Sequence, residues 1–144
     1  MTLLLNAAST WAMVGLIWFV QMVHYPLFAG VGEAGYAAYQ HTHMRTTTWV
    51  VAPLMFAELI TSVLLLVPAL RPAGVPAWIL WVGLATVAVN WISTAALQIP
   101  AHERLTAGYD APAHALLVGT NWLRTFMWTV HGVLCLIALR QTLR

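Results

Sequence analysis

Apolar residues fill four long stretches of the chain, and polar residues fall at their ends and along one face of each. Every stretch is close to or above the roughly 20 residues that a membrane-spanning helix needs. The predicted spans are residues 3–28, 47–67, 76–99 and 114–139. We therefore expect an all-α integral membrane protein, an antiparallel four-helix bundle that forms one domain over residues 1–144.

The segments that connect the spans differ in kind. The second connection, "PALRPAGVPAW", is a short turn rich in proline and glycine, whereas the first and third are longer, polar and rich in histidine. Tyr36, Gln40, His43 and Thr47 recur at helical spacing, which predicts that the first connection becomes a helix and runs into the second span. Prolines are expected to kink or end helices, and three fall at Pro26, Pro53 and Pro100.

Composition supports the membrane interpretation and limits the partners. The chain is 61% hydrophobic and 7% charged, with a mean hydropathy of +0.79. Its formal net charge of +2 is too small to favour nucleic acid. The expected partners are the lipid bilayer and a hydrophobic small-molecule substrate, with a homo-oligomer or a larger membrane complex left open. A single cysteine, Cys135, excludes an internal disulfide and a CxxC motif.

Histidines are concentrated at one end of the predicted bundle, which we call the histidine mouth. It comprises five of the six histidines, His24, His41, His43, His102 and His114. Imidazole binds copper, iron and zinc, so four of these residues are candidate ligands of a transition metal. They are His24, His43, His102 and His114, because a helix turns His41 away from His43. Gln21 and Gln98 each precede a candidate ligand and could orient a ring or a bound water. The alternative is a set of interfacial histidines in wet loops.

Deeper in the spans lie charged and amide side chains. Glu58 is about twelve residues into the second span and Arg124 about ten into the fourth. A charge at such depth is costly and is normally paired. We therefore expect a buried Glu58–Arg124 ion pair, with Asn90 and Asn121 as hydrogen-bond partners and all four residues serving catalysis. A purely structural clamp is the alternative.

Two short patches, "IPAHERL" after the third span and "NWLRTFMW" in the fourth, resemble the family of small four-helix membrane proteins grouped around the anthrone oxygenases. The resemblance implies oxidation of a lipophilic, often aromatic substrate inside a four-helix bundle. It would give functional roles to Pro100, Leu105, Asn121 and Arg124. The chain departs from the family pattern at His102, where an asparagine is expected.

Together these features predict a membrane-embedded oxidoreductase or oxygenase, metal-dependent, that acts on a lipophilic substrate. An accessory subunit of a larger electron-transfer or photosynthetic membrane complex is the second interpretation, and a haem-binding four-helix protein is the third. His131 is the only deep histidine and has no evident partner at its depth, which argues against a buried bis-histidine haem. The expected location is an inner or plasma membrane. The arginine positions favour an orientation with both termini cytoplasmic. The arginines are Arg71, Arg140 and Arg144 on one side and Arg45 and Arg104 on the other.

Overall fold

A computed structural model describes residues 1–143, which form helices and connecting turns without any strand. The α-helices are α1 (Thr2–Phe19), α2 (Glu33–Leu64), α3 (Ala77–Ser93), α4 (Ile99–Leu105) and α5 (Ala111–Thr142). A π turn and a 3₁₀ turn extend α1, and another π turn joins α3 to α4, so the chain makes four long helical segments. All four are long and apolar enough to cross a membrane.

Each of the two π turns ends two residues before a proline. They comprise Val20–His24, followed after one residue by Pro26, and Thr94–Gln98, followed after one residue by Pro100. Proline lacks an amide hydrogen and its ring collides with the carbonyl four residues earlier, so the helix widens where the proline approaches. The prolines thus change the direction of helical side chains at the histidine mouth.

Helix α2 runs without interruption through the predicted connection and the second span. It begins at Glu33, so the spacing of polar residues across "YAAYQHTHMRTT" correctly predicted a helix. Pro53 lies inside this helix, which continues to Leu64. The polar segment therefore presents Gln40 and His43 from the same rigid rod that carries Glu58.

Pairs of side chains show which ends of the long segments meet. Near the start of α1, Asn6 bonds the hydroxyl of Ser62 near the end of α2 at 2.9 Å. At the other end, His24 contacts His43. Between the third and fourth segments, the Gln98 amide donates to the Thr120 hydroxyl at 2.8 Å.

Many polar side chains are buried in this bundle and many large apolar side chains lie on its outside. Within residues 1–143, eighteen polar or charged residues are buried beside an apolar core. Large apolar side chains remain on the outside, among them Trp49, Ile92 and Phe126, with 79%, 66% and 61% exposed. Such an apolar exterior is what a hydrocarbon environment favours.

Candidate functional site

His24 and His43 form a direct pair at the histidine mouth. The π turn Val20–His24 carries the first ring to α2, where its Nε2 lies 3.0 Å from Nδ1 of His43. The hydroxyl of Thr47 lies 3.1 Å from the same Nδ1. Within the described residues no hydrogen bond engages Nε2 of His43.

His102 is held between Tyr25 and Gln40. Its Nε2 lies 3.0 Å from the Tyr25 hydroxyl, and the amide nitrogen of Gln40 lies 2.7 Å from its Nδ1. Since Gln40 donates to Nδ1, the neutral ring carries its hydrogen on Nε2 and donates it to the Tyr25 oxygen. The hydrogen of the Tyr25 hydroxyl is then free to be donated elsewhere.

His114 does not join the other three candidate ligands. Its Nε2 lies 2.7 Å from the carbonyl oxygen of Tyr25, and its Nδ1 lies 3.2 Å from the Tyr109 hydroxyl. The ring of Phe28, which is fully buried, packs against the rings of all four candidate ligands, His24, His43, His102 and His114. These four histidines therefore divide into a group of three and a separate His114.

His41 is exposed, as the helical spacing predicted, while His43 is buried. Among residues 1–143 no group of three or more histidine, cysteine or carboxylate side chains is arranged to hold a metal ion. Both ring nitrogens of His102 and of His114 already have protein partners. The predicted four-histidine metal site stays a prediction.

Within the described residues, the side chains of Gln21 and Gln98 form no hydrogen bond with a histidine. The side-chain amide oxygen of Gln21 accepts from Asn121 at 2.8 Å, and Gln98 bonds Thr120 instead. A π turn lies at each glutamine and alters the helical phase between it and the following histidine. The orienting role of the two glutamines, on a ring or through a bound water, stays a prediction.

Arg124 is buried, and within residues 1–143 it has no carboxylate partner. Its Nη1 donates to the side-chain oxygen of Asn121 at 3.0 Å, and its guanidinium carbon lies 4.9 Å from the centre of the Trp128 ring. No described residue forms a hydrogen bond with its Nε. Asn121 thus contacts the arginine as predicted. In the same part of the chain both side-chain polar atoms of the buried Asn90 lack partners, so Asn90 bonds neither Glu58 nor Arg124.

Glu58 pairs with His131, which contradicts the predicted Glu58–Arg124 ion pair. The carboxylate lies 3.0 Å from Nδ1 of His131 and accepts hydrogen bonds from Thr10 at 3.0 Å and from Trp128 at 2.8 Å. The error came from counting depth from the start of each predicted span. Glu58 is fifteen residues beyond His43 and Arg124 only ten beyond His114, so at about 1.5 Å per residue Glu58 lies roughly 7 Å deeper.

The Glu58 cluster includes residues that the sequence analysis did not select. Asn6 donates to Thr61 and Ser62 of α2, and the Cys135 thiol lies 3.3 Å from the Asn6 side-chain oxygen. The spacing of the polar residues Asn6, Ser9 and Thr10 along α1 was the available signal, since all three are buried in this helix.

Asp110 organises the loop between α4 and α5. It caps α5 by accepting from the amide of Ala113 at 2.9 Å and pairs with Arg104 at 2.7 Å. The backbone hydrogen bond from Ala113, followed by the bond from Arg104, lowers the pKa of Asp110 from its ordinary value. This carboxylate therefore stabilises the start of α5 and the loop that precedes it.

A cavity of about 260 Å³ lies between the long segments, next to the histidine mouth. Its walls are mostly apolar and include Ile17, Val51 and Met55, and its polar lining includes Tyr25, His43, Thr47, Gln98, His102 and Arg124. The lining residues that remain exposed are Thr48 and Phe56 of α2 and Ile99 of α4. The cavity therefore opens sideways, between α2 and the α3–α4 segment.

A cavity of this kind can bind an apolar molecule and form hydrogen bonds with one polar atom on it. Tyr25 and Arg124 are hydrogen-bond donors on the cavity wall, and His43 is a potential proton acceptor on the same wall. No family model, curated protein or solved structure matches the chain.

Proposed function

We propose that the protein is a membrane-embedded oxidoreductase of the oxygenase class that acts on a lipophilic substrate in this cavity. The observation that carries the proposal is the lateral, mostly apolar cavity that Tyr25, His43 and Arg124 all line. A substrate dissolved in the bilayer would enter between α2 and the α3–α4 segment without crossing water. The resemblance of "IPAHERL" and "NWLRTFMW" to the anthrone oxygenase-like family supports the same reaction class.

We propose the following membrane arrangement. The four long segments span an inner or plasma membrane as an antiparallel bundle with cytoplasmic termini, and the histidine mouth faces the opposite side. The contacts Asn6–Ser62 and His24–His43 support alternating directions for the first two segments. The large apolar side chains on the outside, among them Trp49, Ile92 and Phe126, support insertion in lipid.

In the proposed reaction, Tyr25 and Arg124 stabilise negative charge on a substrate oxygen. Hydrogen-bond donors that are fixed in a site without water stabilise a developing oxyanion strongly. Tyr25 is suited to this role because His102 donates to its oxygen and leaves its hydrogen free. Asn121 holds the guanidinium of Arg124 from the side opposite to its free Nε.

His43 is the proposed proton acceptor. With its Nδ1 hydrogen directed to His24 or Thr47, the lone pair on Nε2 is available to a substrate in the cavity. Removal of a proton from a methylene beside an aromatic ketone gives an enolate, whose oxygen Tyr25 and Arg124 bind. Reaction of this carbanion equivalent with dioxygen converts the methylene to a carbonyl and releases one water, which balances without a further reductant.

A transition metal at the mouth, copper, iron or zinc, stays a prediction from sequence, and it is an alternative to the role of His43 as proton acceptor because the lone pair on Nε2 cannot bind a metal and accept a proton at once. His24 and His43 would be its first ligands, and His102 would join only by exchanging its bond to Tyr25 or Gln40 for a bond to the metal. The steps above use only the protein's own groups. Elemental analysis of the purified protein tests this part, and a stoichiometric metal lost in both His24→Ala and His43→Ala would support it.

The reaction is tested with an enolisable aromatic ketone such as anthrone, with dioxygen uptake and product absorbance as readouts. Tyr25→Phe should lower the rate by roughly a hundredfold to a thousandfold, the usual effect of losing one oxyanion donor. His43→Ala should lower it by about a hundredfold or more. The exposed His41→Ala is the matched control and should be unchanged. No uptake above that of protein-free membranes, or equal losses in His41→Ala and His43→Ala, would refute the mechanism.

A further inference from the structure

Arg124 combines three properties that a structural arginine would not need. It is almost fully buried, it lines a cavity that opens sideways, and its Nε has no hydrogen-bond partner among the described residues. In residues 1–143 no carboxylate contacts it, because Glu58 is occupied by His131 and Asp110 by Arg104. A charge held in this way in a low-dielectric interior requires a compensating anion.

The remaining lining of the cavity defines the rest of the ligand. Along the wall the side chains are apolar, including Leu16, Val20 and Trp91, and within the described residues Arg124 is the only arginine or lysine that lines it. One cation favours one negative charge, and an apolar wall favours an apolar body.

We propose that the cavity binds an amphiphile with a single oxyanion head, a carboxylate or an ionised phenol or enol, which Arg124 binds while the apolar body lies between α2 and the α3–α4 segment. This inference rests on the proposed function and specifies its substrate class. The guanidinium offers two adjacent N–H groups in a plane, a geometry that suits two oxygens of a carboxylate and also accepts a single phenolate oxygen. A neutral lipid of the same length would leave the charge of Arg124 uncompensated.

Binding is measured on the purified full-length protein in detergent, with three probes that share one alkyl chain: dodecanoate, dodecanol and dodecyltrimethylammonium. The wild-type protein should bind dodecanoate roughly tenfold to a hundredfold more tightly than dodecanol, the effect expected of one charge-assisted hydrogen-bonding group. The cationic probe should bind most weakly. A competition experiment then compares dodecanoate with an alkylated dichlorophenol at a pH at which both are ionised. It shows whether the site prefers a carboxylate or a phenolate.

Variants separate the charge from the cavity. Arg124→Gln should abolish the preference for dodecanoate and leave dodecanol binding unchanged, whereas Arg124→Lys should retain part of the preference. The exposed Arg45→Gln is the matched control and should behave as wild type. Val51→Trp, which fills the cavity and keeps the arginine, should weaken dodecanoate and dodecanol alike.

Thermal unfolding without added probe gives a second readout. An arginine that serves only the fold should destabilise the protein when it is replaced, whereas an arginine kept for a ligand should not, so Arg124→Gln should unfold at or above the wild-type temperature. Equal affinity for dodecanoate and dodecanol in the wild type, or loss of stability in Arg124→Gln, would overturn the anionic class while leaving a lipophilic cavity. Unchanged binding of both probes in Val51→Trp would instead refute the cavity as the site, and with it the proposed function.

Discussion

Removing the Glu58 carboxylate should strongly destabilise the protein, and the loss should depend on His131 and not on Arg124. The carboxylate accepts from Thr10 and Trp128 and lies 3.0 Å from Nδ1 of His131. Glu58→Gln keeps the shape but turns one of the two acceptor oxygens into an amide donor, so that at least one of the buried donors on Thr10, Trp128 and His131 loses its acceptor, at a cost of about 1 to 3 kcal/mol for each unsatisfied group. For a chain of this size the melting temperature should fall by several degrees.

A double-mutant cycle identifies the partner. His131→Leu combined with Glu58→Gln should cost clearly less than the sum of the two single changes, because each single change already breaks the same contact. Arg124→Gln combined with Glu58→Gln should show a much smaller coupling, since these two residues share only the Trp128 side chain. The exposed Glu103→Gln is the matched control. Thermal unfolding in one detergent gives the stability of every variant. If the Glu58 and His131 substitutions were additive and the Glu58 and Arg124 substitutions were strongly coupled, the Glu58–His131 pair would be refuted.

Three further predictions concern orientation, the loop and helix packing. A reporter fused to the C-terminus should be active only on the cytoplasmic side, and activity on the external side would contradict the proposed orientation. Asp110→Ala should lower the melting temperature at neutral pH. Because the folded protein lowers the pKa of Asp110, its contribution is present above its ordinary value and lost as the pH falls through the lowered one, so the variant and wild-type melting curves should converge in acid. Gly83→Leu should cost about 1 to 3 kcal/mol by overpacking, since even a Cβ there would lie 3.3 Å from Nε2 of His131, while Gly15→Ala, which meets nothing, should be harmless in the same unfolding assay.

The pattern of apolar stretches predicted the four long helical segments, because hydropathy over some twenty residues depends little on the neighbours of each residue. The helical spacing from Tyr36 to Thr47 also predicted the extension of α2, and the same rule correctly turned His41 outward.

Partners across helices were harder to predict, since they depend on the depth and rotation of two separate rods. Counting residues placed Glu58 and Arg124 at similar depth, although Glu58 lies nearer to His131. The Tyr25–His102–Gln40 contact was not predicted, because Tyr25 follows a π turn that hydropathy does not reveal. The sequence signal was present in the prolines at positions 26 and 100, but a proline alone indicates only that the regular helix is disturbed.

The repeated order of π turn and proline has a consequence for the evolution of the chain. A π turn accommodates one extra residue in a helix, so it acts as an insertion that stays inside the rod and does not lengthen a loop. Deleting one residue from Thr94–Gln98 would restore a regular helix, yet it would rotate α4, which follows this turn directly, by about 100°. His102 would then leave Gln40 and Tyr25, while Gly83 and the rest of α3 would keep their packing against α5. Length changes at these two turns can therefore redesign the mouth without disturbing the half of the molecule that contains Glu58 and His131.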